Sequence, residues 1–131
     1  MKTILVDAVY CFVVEKDGVF SINREMHNLL ETYPNKKILV TGADDEQYKK
    51  FGLDQMPYEV FTRMHNPEKT DPKYFQILLE HFNLKSDDVI YFEHYVEAMN
   101  SAELAGIKSY FYDYSKGDLV ALKTFIDVNV S

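Results

Sequence analysis

Short apolar runs alternate along the chain with segments whose apolar residues recur at helical spacing. The runs at residues 3–6, 37–41, 58–62, 89–92 and 107–112 predict five β-strands. The first run has no polar alternation, which is typical of a strand covered on both faces. Asp17-Gly18, between two β-rich arms, predicts a β-hairpin directly after the first strand.

The segments between the strands predict helices with recognisable ends. The expected N-cap residues are Asn23, Asp44 or Asp45, and Asp71. Pro72 suits the first helical turn after its cap, and Gly106 is the expected C-cap of a later helix. The last helix is expected over residues 117–128.

Strands that alternate with helices predict an α/β fold of three layers, in which helices cover both faces of a five-stranded parallel sheet. In such a sheet the ligand crevice lies beyond the carboxyl ends of the strands. Polar residues that follow the strands are therefore the candidates for a functional site. They are Asp7, Thr41, Gly42, Lys69, Glu93 and His94.

Length and composition bound the class of protein. The 131 residues suit one domain, expected over residues 1–131, and the 47% hydrophobic fraction excludes a disordered chain. The net charge of −7 argues against a nucleic-acid-binding surface. The single cysteine, Cys11, excludes an internal disulfide and is expected to be a small buried hydrophobe. No apolar run is long enough to span a membrane, so we expect a cytoplasmic protein that is complete from Met1.

Asp7 follows a buried run at the edge of the predicted sheet, where a carboxylate is partly desolvated. It is a candidate nucleophile, because carboxylates form acyl-phosphate or ester intermediates; alternatively, it only caps the turn that follows. Thr41 and Gly42 offer a hydroxyl and an unhindered backbone N–H to an anionic oxygen, or else they form an ordinary turn.

Lys69 is a candidate to balance negative charge between a phosphate and Asp7, with a solvated loop lysine as the alternative. Lys73 competes with it, but we expect this helical lysine to face water. Glu93 and Asp7 are candidate ligands of Mg²⁺, which prefers oxygen. His94 is a poor Mg²⁺ ligand and suits Zn²⁺, proton transfer or ordinary hydrogen bonds.

Four stretches in this order resemble the motifs of a known family. They are Ile4-Leu5-Val6-Asp7-Ala8, Ile38-Leu39-Val40-Thr41-Gly42, Lys69-Thr70-Asp71-Pro72 and Val89-Ile90-Tyr91-Phe92-Glu93-His94. They resemble the haloacid dehalogenase-like (HAD) superfamily, chiefly phosphatases, over nearly the whole chain. The resemblance implies a Rossmann-like core with the sheet strands in the order 5-4-1-2-3, counted without the hairpin, which would be the family's flap. The gaps between the motifs are too short for the family's cap domain, which implies a capless member.

The resemblance also implies roles for the candidate residues. The catalytic residues would be Asp7, Thr41 and Lys69, the phosphate-binding residues Thr41, Gly42 and Lys69, and the Mg²⁺ ligands Asp7, Glu93 and the Val9 carbonyl. Three positions depart from the family pattern. Val9 replaces the general acid/base and cannot transfer a proton, while His94 and Ala98 stand where the family carries acidic or amide groups.

These departures set the functional expectation. The chain is expected to keep the fold but to have a degraded phosphatase site, inactive or weakly active, with a small phosphorylated ligand or a protein partner and a binding or regulatory role. One alternative is a weak Mg²⁺-dependent phosphomonoesterase with Asp7 as nucleophile. A more remote alternative is a metal-independent dehalogenase, for which Asp7-Ala8 is the matching fragment.

Overall fold

The computed structural model describes every residue from Met1 to Ser131. The strands are β1 (Thr3–Asp7), β2 (Val13–Lys16), β3 (Val19–Ile22), β4 (Lys37–Thr41), β5 (Glu59–Thr62), β6 (Val89–Glu93) and β7 (Lys108–Phe111). The helices are α1 (Arg24–Glu31), α2 (Asp45–Lys50), α3 (Pro72–His81), α4 (Val96–Leu104) and α5 (Leu119–Asn129), with short 3-10 turns at Leu53–Gln55 and Ser86–Asp88.

Five parallel strands form the central sheet in the spatial order β5-β4-β1-β6-β7, and β2 pairs with β3 in a separate hairpin. The labels differ from the predicted order 5-4-1-2-3 because the hairpin strands take two of the numbers. Counted without the hairpin, the second and fourth strands along the chain flank the first. This places the carboxyl ends of β1, β4 and β6 side by side.

The apolar runs lack polar alternation because both faces of the sheet are covered. Ile4 and Val6 of β1 face a core that includes α1, α5 and the hairpin. Leu5, between them, faces a second core built with α3 and α4. Successive side chains of a strand point to opposite faces, so odd-numbered positions of β1 continue toward the side of α3 and α4.

The capping contacts confirm the predicted N-terminal ends of three helices. Asn23, Asp44 and Asp71 accept hydrogen bonds from backbone N–H groups of the first turns of α1, α2 and α3. The hairpin turn has positive φ at Asp17 (53°) and Gly18 (80°), as a type I′ turn requires.

Other boundaries differ by one or two residues. Strands β1 and β6 each extend one residue further than expected, so Asp7 and Glu93 are their last residues. Strand β5 begins at Glu59 rather than at residue 58, and β7 is shorter than its apolar run. Helix α5 begins at Leu119 rather than at residue 117, because Asp118 caps it. None of the helices has the length and apolarity that crossing a bilayer requires.

Candidate functional site

The two acidic residues at the strand ends lie on the same face of the sheet. Residue 6 of β1 pairs with residue 92 of β6, so Asp7 and Glu93 occupy the next level of neighbouring strands. Both share the odd-numbered face that packs against α3 and α4. Both are buried, with side chains only 2% and 1% exposed. Two carboxylates that are buried on neighbouring strands require positive charges nearby to compensate them.

Lys69 supplies the first compensating charge. Its ammonium Nζ lies 2.8 Å from Asp7 Oδ1 and 2.7 Å from Glu93 Oε1. A weaker bond of 3.4 Å reaches the backbone carbonyl of Val40. The three N–H groups of this lysine are thus all directed at acceptors within the protein. Lys73, the other lysine considered for this role in the sequence, is exposed on α3, as expected.

His94 supplies the second charge. Its Nδ1 hydrogen-bonds to Asp7 Oδ2 and lies 3.2 Å from Glu93 Oε2. Its backbone N–H donates to the same Asp7 oxygen at 3.3 Å. The imidazole therefore sits between the two carboxylates, on the side away from Lys69.

Glu93 has two further partners that sequence reasoning missed. The phenol of Tyr91 donates to Glu93 Oε1, and the backbone N–H of Tyr95 donates to Oε2 at 3.2 Å. The sequence could have indicated the contact of Tyr91, because residues two apart on a strand share a face and Tyr91 precedes Glu93 by two residues. Cys11 is buried as expected, and its thiol donates to Asp7 Oδ2 at 3.4 Å, a contact that the sequence did not predict.

The ionisation of these groups follows from their neighbours. Burial by itself raises the pKa of Asp7, but Lys69 and His94 outweigh it and hold that pKa well below its usual range. Burial by itself lowers the pKa of His94, whereas its bonds to Asp7 and Glu93 raise it to about 9. The pKa of Glu93 is raised by burial and by the charge of Asp7. With all four groups ionised, two negative and two positive charges cancel.

The carboxylates are already engaged by the protein's own donors. Every oxygen of Asp7 and Glu93 accepts a bond from Lys69, His94, Tyr91 or a backbone N–H. A metal ion held by Asp7 and Glu93 would have to displace some of these contacts. The side chain of Ala98 is buried and offers no oxygen ligand. The expectation of Asp7 and Glu93 as Mg²⁺ ligands stays a prediction.

A second set of potential metal ligands includes the cysteine. The ligand atoms of Asp7, Cys11 and His94 lie within 4.8 Å of one another, a spacing that a metal ion can bridge. Without a metal, burial and the charges of Asp7 and Glu93 raise the pKa of Cys11 well above its usual value. Its thiol then donates a hydrogen bond to Asp7.

A cavity of about 290 Å³ opens above this cluster. Thr41, Gly42 and Val9 line it beside Asp7. Neither the Val9 nor the Gly42 backbone N–H donates a hydrogen bond within the protein. The Thr41 hydroxyl accepts from the Ala43 N–H at 3.2 Å, which leaves its own hydrogen free. Three donors without an acceptor in the protein thus belong to residues that line the cavity.

The other walls of the cavity come from residues that carried no sequence signal. His65 lines the cavity next to Gly42, and its ring nitrogens contact Gln47 Oε1 at 2.5 Å and Glu68 Oε1 at 2.9 Å.

Outside the cavity lining, the buried phenol of Tyr74 donates to the Thr41 carbonyl at 2.6 Å. The structure therefore brings all six sequence candidates to one place, at the carboxyl edge of the sheet.

Comparison with known proteins adds a fold relationship. No protein-family model matches the chain, and no curated protein matches it. A HAD family enzyme of Bacteroides thetaiotaomicron, in complex with magnesium, has a TM-score of 0.73 at 10% identity, over 93% of this chain and 98% of that chain. A mutant of that enzyme, in complex with magnesium and inorganic phosphate, has a TM-score of 0.69 at 10% identity, over 85% and 93%. An uncharacterised protein of Corynebacterium glutamicum has a TM-score of 0.66 at 16% identity, over 97% and 96%.

The chain has the haloacid dehalogenase-like fold. The resemblance carried by the four sequence motifs is thus confirmed at the level of the fold. Identities this low establish the fold alone, because one fold hosts many chemistries. The roles of the residues around the cavity have to be argued from their own geometry.

Proposed function

We propose that the chain, as a single domain without a cap domain, binds a small phosphorylated ligand in the Asp7 cavity without a metal ion and without hydrolysing it efficiently. The observation that carries this proposal is the hydrogen bond from His94 Nδ1 to Asp7 Oδ2. Together with Lys69 on Oδ1, it engages both oxygens of the only candidate nucleophile. A carboxylate whose charge is stabilised by two cations is a weaker nucleophile, because its electron density is less available for attack.

The absence of a proton donor supports the same conclusion. Val9 lines the cavity at the position of the family's general acid/base. Its side chain cannot protonate a leaving group, and positioned proton transfer contributes about 10²–10⁴-fold to a reaction rate. No step of the proposed function requires such a transfer.

The free donors support binding of a phosphate group. The Val9 and Gly42 N–H groups and the Thr41 hydroxyl have no acceptor for these hydrogens within the protein. Backbone N–H groups that have no acceptor in the protein can donate to an anionic oxygen of a ligand. The charge of Asp7 is offset by Lys69 and His94 at the same place, so a phosphate would not meet an uncompensated carboxylate. The net charge of −7 is therefore no obstacle to an anionic ligand.

One observation favours an alternative, the Mg²⁺-dependent phosphomonoesterase. Asp7, Thr41 and Lys69 all line the cavity together, as that activity would need. In that enzyme Asp7 and Glu93 would hold the metal ion, which would require the contacts of His94 with these carboxylates to be replaced. The two proposals therefore differ in whether a divalent metal changes ligand binding.

Calorimetric titration with inorganic phosphate in EDTA tests the binding proposal. We expect binding that Mg²⁺, added in excess over the EDTA, leaves unchanged. Thr41→Val, which removes the hydroxyl but keeps the shape, should weaken binding about tenfold, since a hydrogen bond to a charged group is worth about 1.5–3 kcal/mol. Thr124→Val on α5 is the matched control and should bind like the wild type. Binding that appears only with Mg²⁺ would support the enzyme instead.

A turnover assay completes the test. Wild-type protein with Mg²⁺, Mn²⁺ or Zn²⁺ should not hydrolyse p-nitrophenyl phosphate in an Asp7-dependent manner, as judged against Asp7→Asn. The double variant Val9→Asp, His94→Asp restores the two carboxylates and should gain Mg²⁺-dependent turnover. Robust wild-type turnover that is lost in an Asp7→Asn variant shown to be folded by circular dichroism would refute the non-hydrolytic proposal.

A further inference from the structure

Tyr10 is held in an unusual backbone conformation at the mouth of the cavity. Its φ is 77°, in the left-handed region that aromatic residues rarely adopt. The turn that follows β1 imposes this conformation, because Tyr10 N–H donates to Val13 O at 2.7 Å and Phe12 N–H to Ala8 O at 2.9 Å. Glycine would fit this position without strain. A strained aromatic residue beside a candidate site calls for a functional explanation.

The ring of Tyr10 belongs to a small aromatic wall. Tyr114 stacks on it with ring centroids 5.0 Å apart and an angle of 23° between the planes. His94 meets both tyrosines edge-on, with centroid distances of 5.4 Å. Tyr10 lines the cavity and Tyr114 does not. The ring of Tyr114, itself half exposed, therefore supports Tyr10 from outside the cavity lining.

A second aromatic residue lines the cavity. Phe51 follows α2 and is itself packed against Phe20 of the hairpin, with ring centroids 4.6 Å apart. Tyr10 and Phe51 thus each contact another aromatic ring, whereas Tyr95, which also lines the cavity, is exposed. Val9, Thr41 and Gly42, which carry the unpaired donors, line the same cavity. Ligand pockets commonly combine an apolar lining with a few polar groups that fix orientation.

We propose that the ligand of this cavity carries a planar aromatic ring next to its anionic group, with the ring packed against Tyr10. This inference rests on the proposed function, which supplies the anionic end. Stacking favours a flat ring over a saturated ring of similar size, because offset aromatic pairs gain energy beyond the area they bury. The cavity of about 290 Å³ is small, so one ring with its anionic group is the expected size.

Two phosphonates that are not hydrolysed test this inference in EDTA. Phenylphosphonate and cyclohexylphosphonate share the anionic group and differ in the planarity of the ring. For the wild-type protein, calorimetry should give phenylphosphonate a dissociation constant roughly three- to tenfold lower than that of cyclohexylphosphonate. Because both probes carry the same phosphonate, any change at the anionic end cancels in this ratio.

Variants of the aromatic wall locate the effect. Tyr10→Leu and Tyr10→Gly should both bring the ratio close to one, and the glycine variant also relieves the backbone strain, which keeps it folded. Tyr114→Leu should reduce the ratio because the support behind Tyr10 is lost. Tyr110→Leu is the matched control, since Tyr110 stacks on Phe125 at 5.0 Å and does not line the cavity. It should keep the wild-type ratio.

The outcomes separate this inference from the proposed function. A wild-type ratio near one, or a ratio that the Tyr10 variants leave unchanged, would overturn the aromatic subsite while phosphate binding stands. If neither the phosphonates nor inorganic phosphate binds, the proposed function itself fails, and the subsite fails with it.

Discussion

The Nδ1–H of His94 is bonded to Oδ2 of Asp7 across the junction of β6 and β1. This contact places a cation on a buried carboxylate at the carboxyl edge of the sheet. Its consequence for ionisation is reciprocal, because the pKa of Asp7 is held low while that of His94 is raised to about 9. The pair should therefore be visible in the pH dependence of stability.

Raising the pH should destabilise the protein through His94. The pKa of His94 is raised from 6.5 to about 9 on folding. Its contribution to stability is complete below pH 6.5 and is lost as the pH rises through 9. The shift of the His94 pKa corresponds to a loss of about 3 kcal/mol in the free energy of unfolding. The His94→Gln variant should not show this loss. Urea unfolding of both proteins at pH 6, 7.5 and 9 measures the difference, and a His94 titration midpoint near 6.5 by NMR would contradict the expectation.

Asp7→Asn should destabilise the fold strongly. Its carboxylate is 2% exposed and is bonded to Lys69 and His94, so the amide would leave these two partly buried cations with Glu93 as their remaining carboxylate. Breaking a buried ion pair by removing one partner costs about 3–5 kcal/mol. Glu59→Gln is the control, because its pair with Lys36 is 3.6 Å long and half exposed and should matter little. Equal midpoints of urea unfolding for the two variants would show that the buried cluster is not a stabilising unit.

The sequence predicted the sheet because its physical signal is local. Ile4, Leu5 and Val6 are all apolar because both faces of β1 are covered. This pattern can be recognised in the sequence without knowing which elements cover the strand. The site residues were predictable for the same reason, since Asp7 and Glu93 directly follow such runs. Their convergence then follows from the order of the parallel strands.

The contacts within the site were not predictable to the same degree. Whether His94 points at Asp7 or at water depends on the side-chain rotamer and on Tyr10 and Tyr114, which pack against its ring. The left-handed backbone of Tyr10 is set by hydrogen bonds of the turn, and tyrosine gives no sequence signal for it. These features come from tertiary packing, which single-residue patterns do not encode.

Tyr91→Phe tests the hydrogen bond that supports Glu93. The phenol of Tyr91 is fully buried and donates to Glu93 Oε1, so its removal leaves a buried carboxylate short of a donor. We expect a loss of about 1–3 kcal/mol in the free energy of unfolding. Tyr110→Phe is the matched control, because that ring stacks on Phe125 and its hydroxyl has no partner in the protein. A loss of the same size in both variants would mean that the hydrogen bond from Tyr91 to Glu93 does not contribute to stability.

Gly106→Ala should destabilise the protein more than Gly18→Ala. Both glycines have positive φ, 87° and 80°, so alanine costs about 1 kcal/mol of backbone strain at either position. At Gly106 an added Cβ would also lie 3.0 Å from Ser86 Oγ and 3.2 Å from Ser86 Cβ, whereas Gly18 has open space around it. Overpacking of this kind adds about 1–3 kcal/mol, because the turn that carries Ser86 must move. Thermal unfolding of the two variants beside the wild type measures the difference, and equal losses would show that the contact between α4 and the turn before β6 yields without cost.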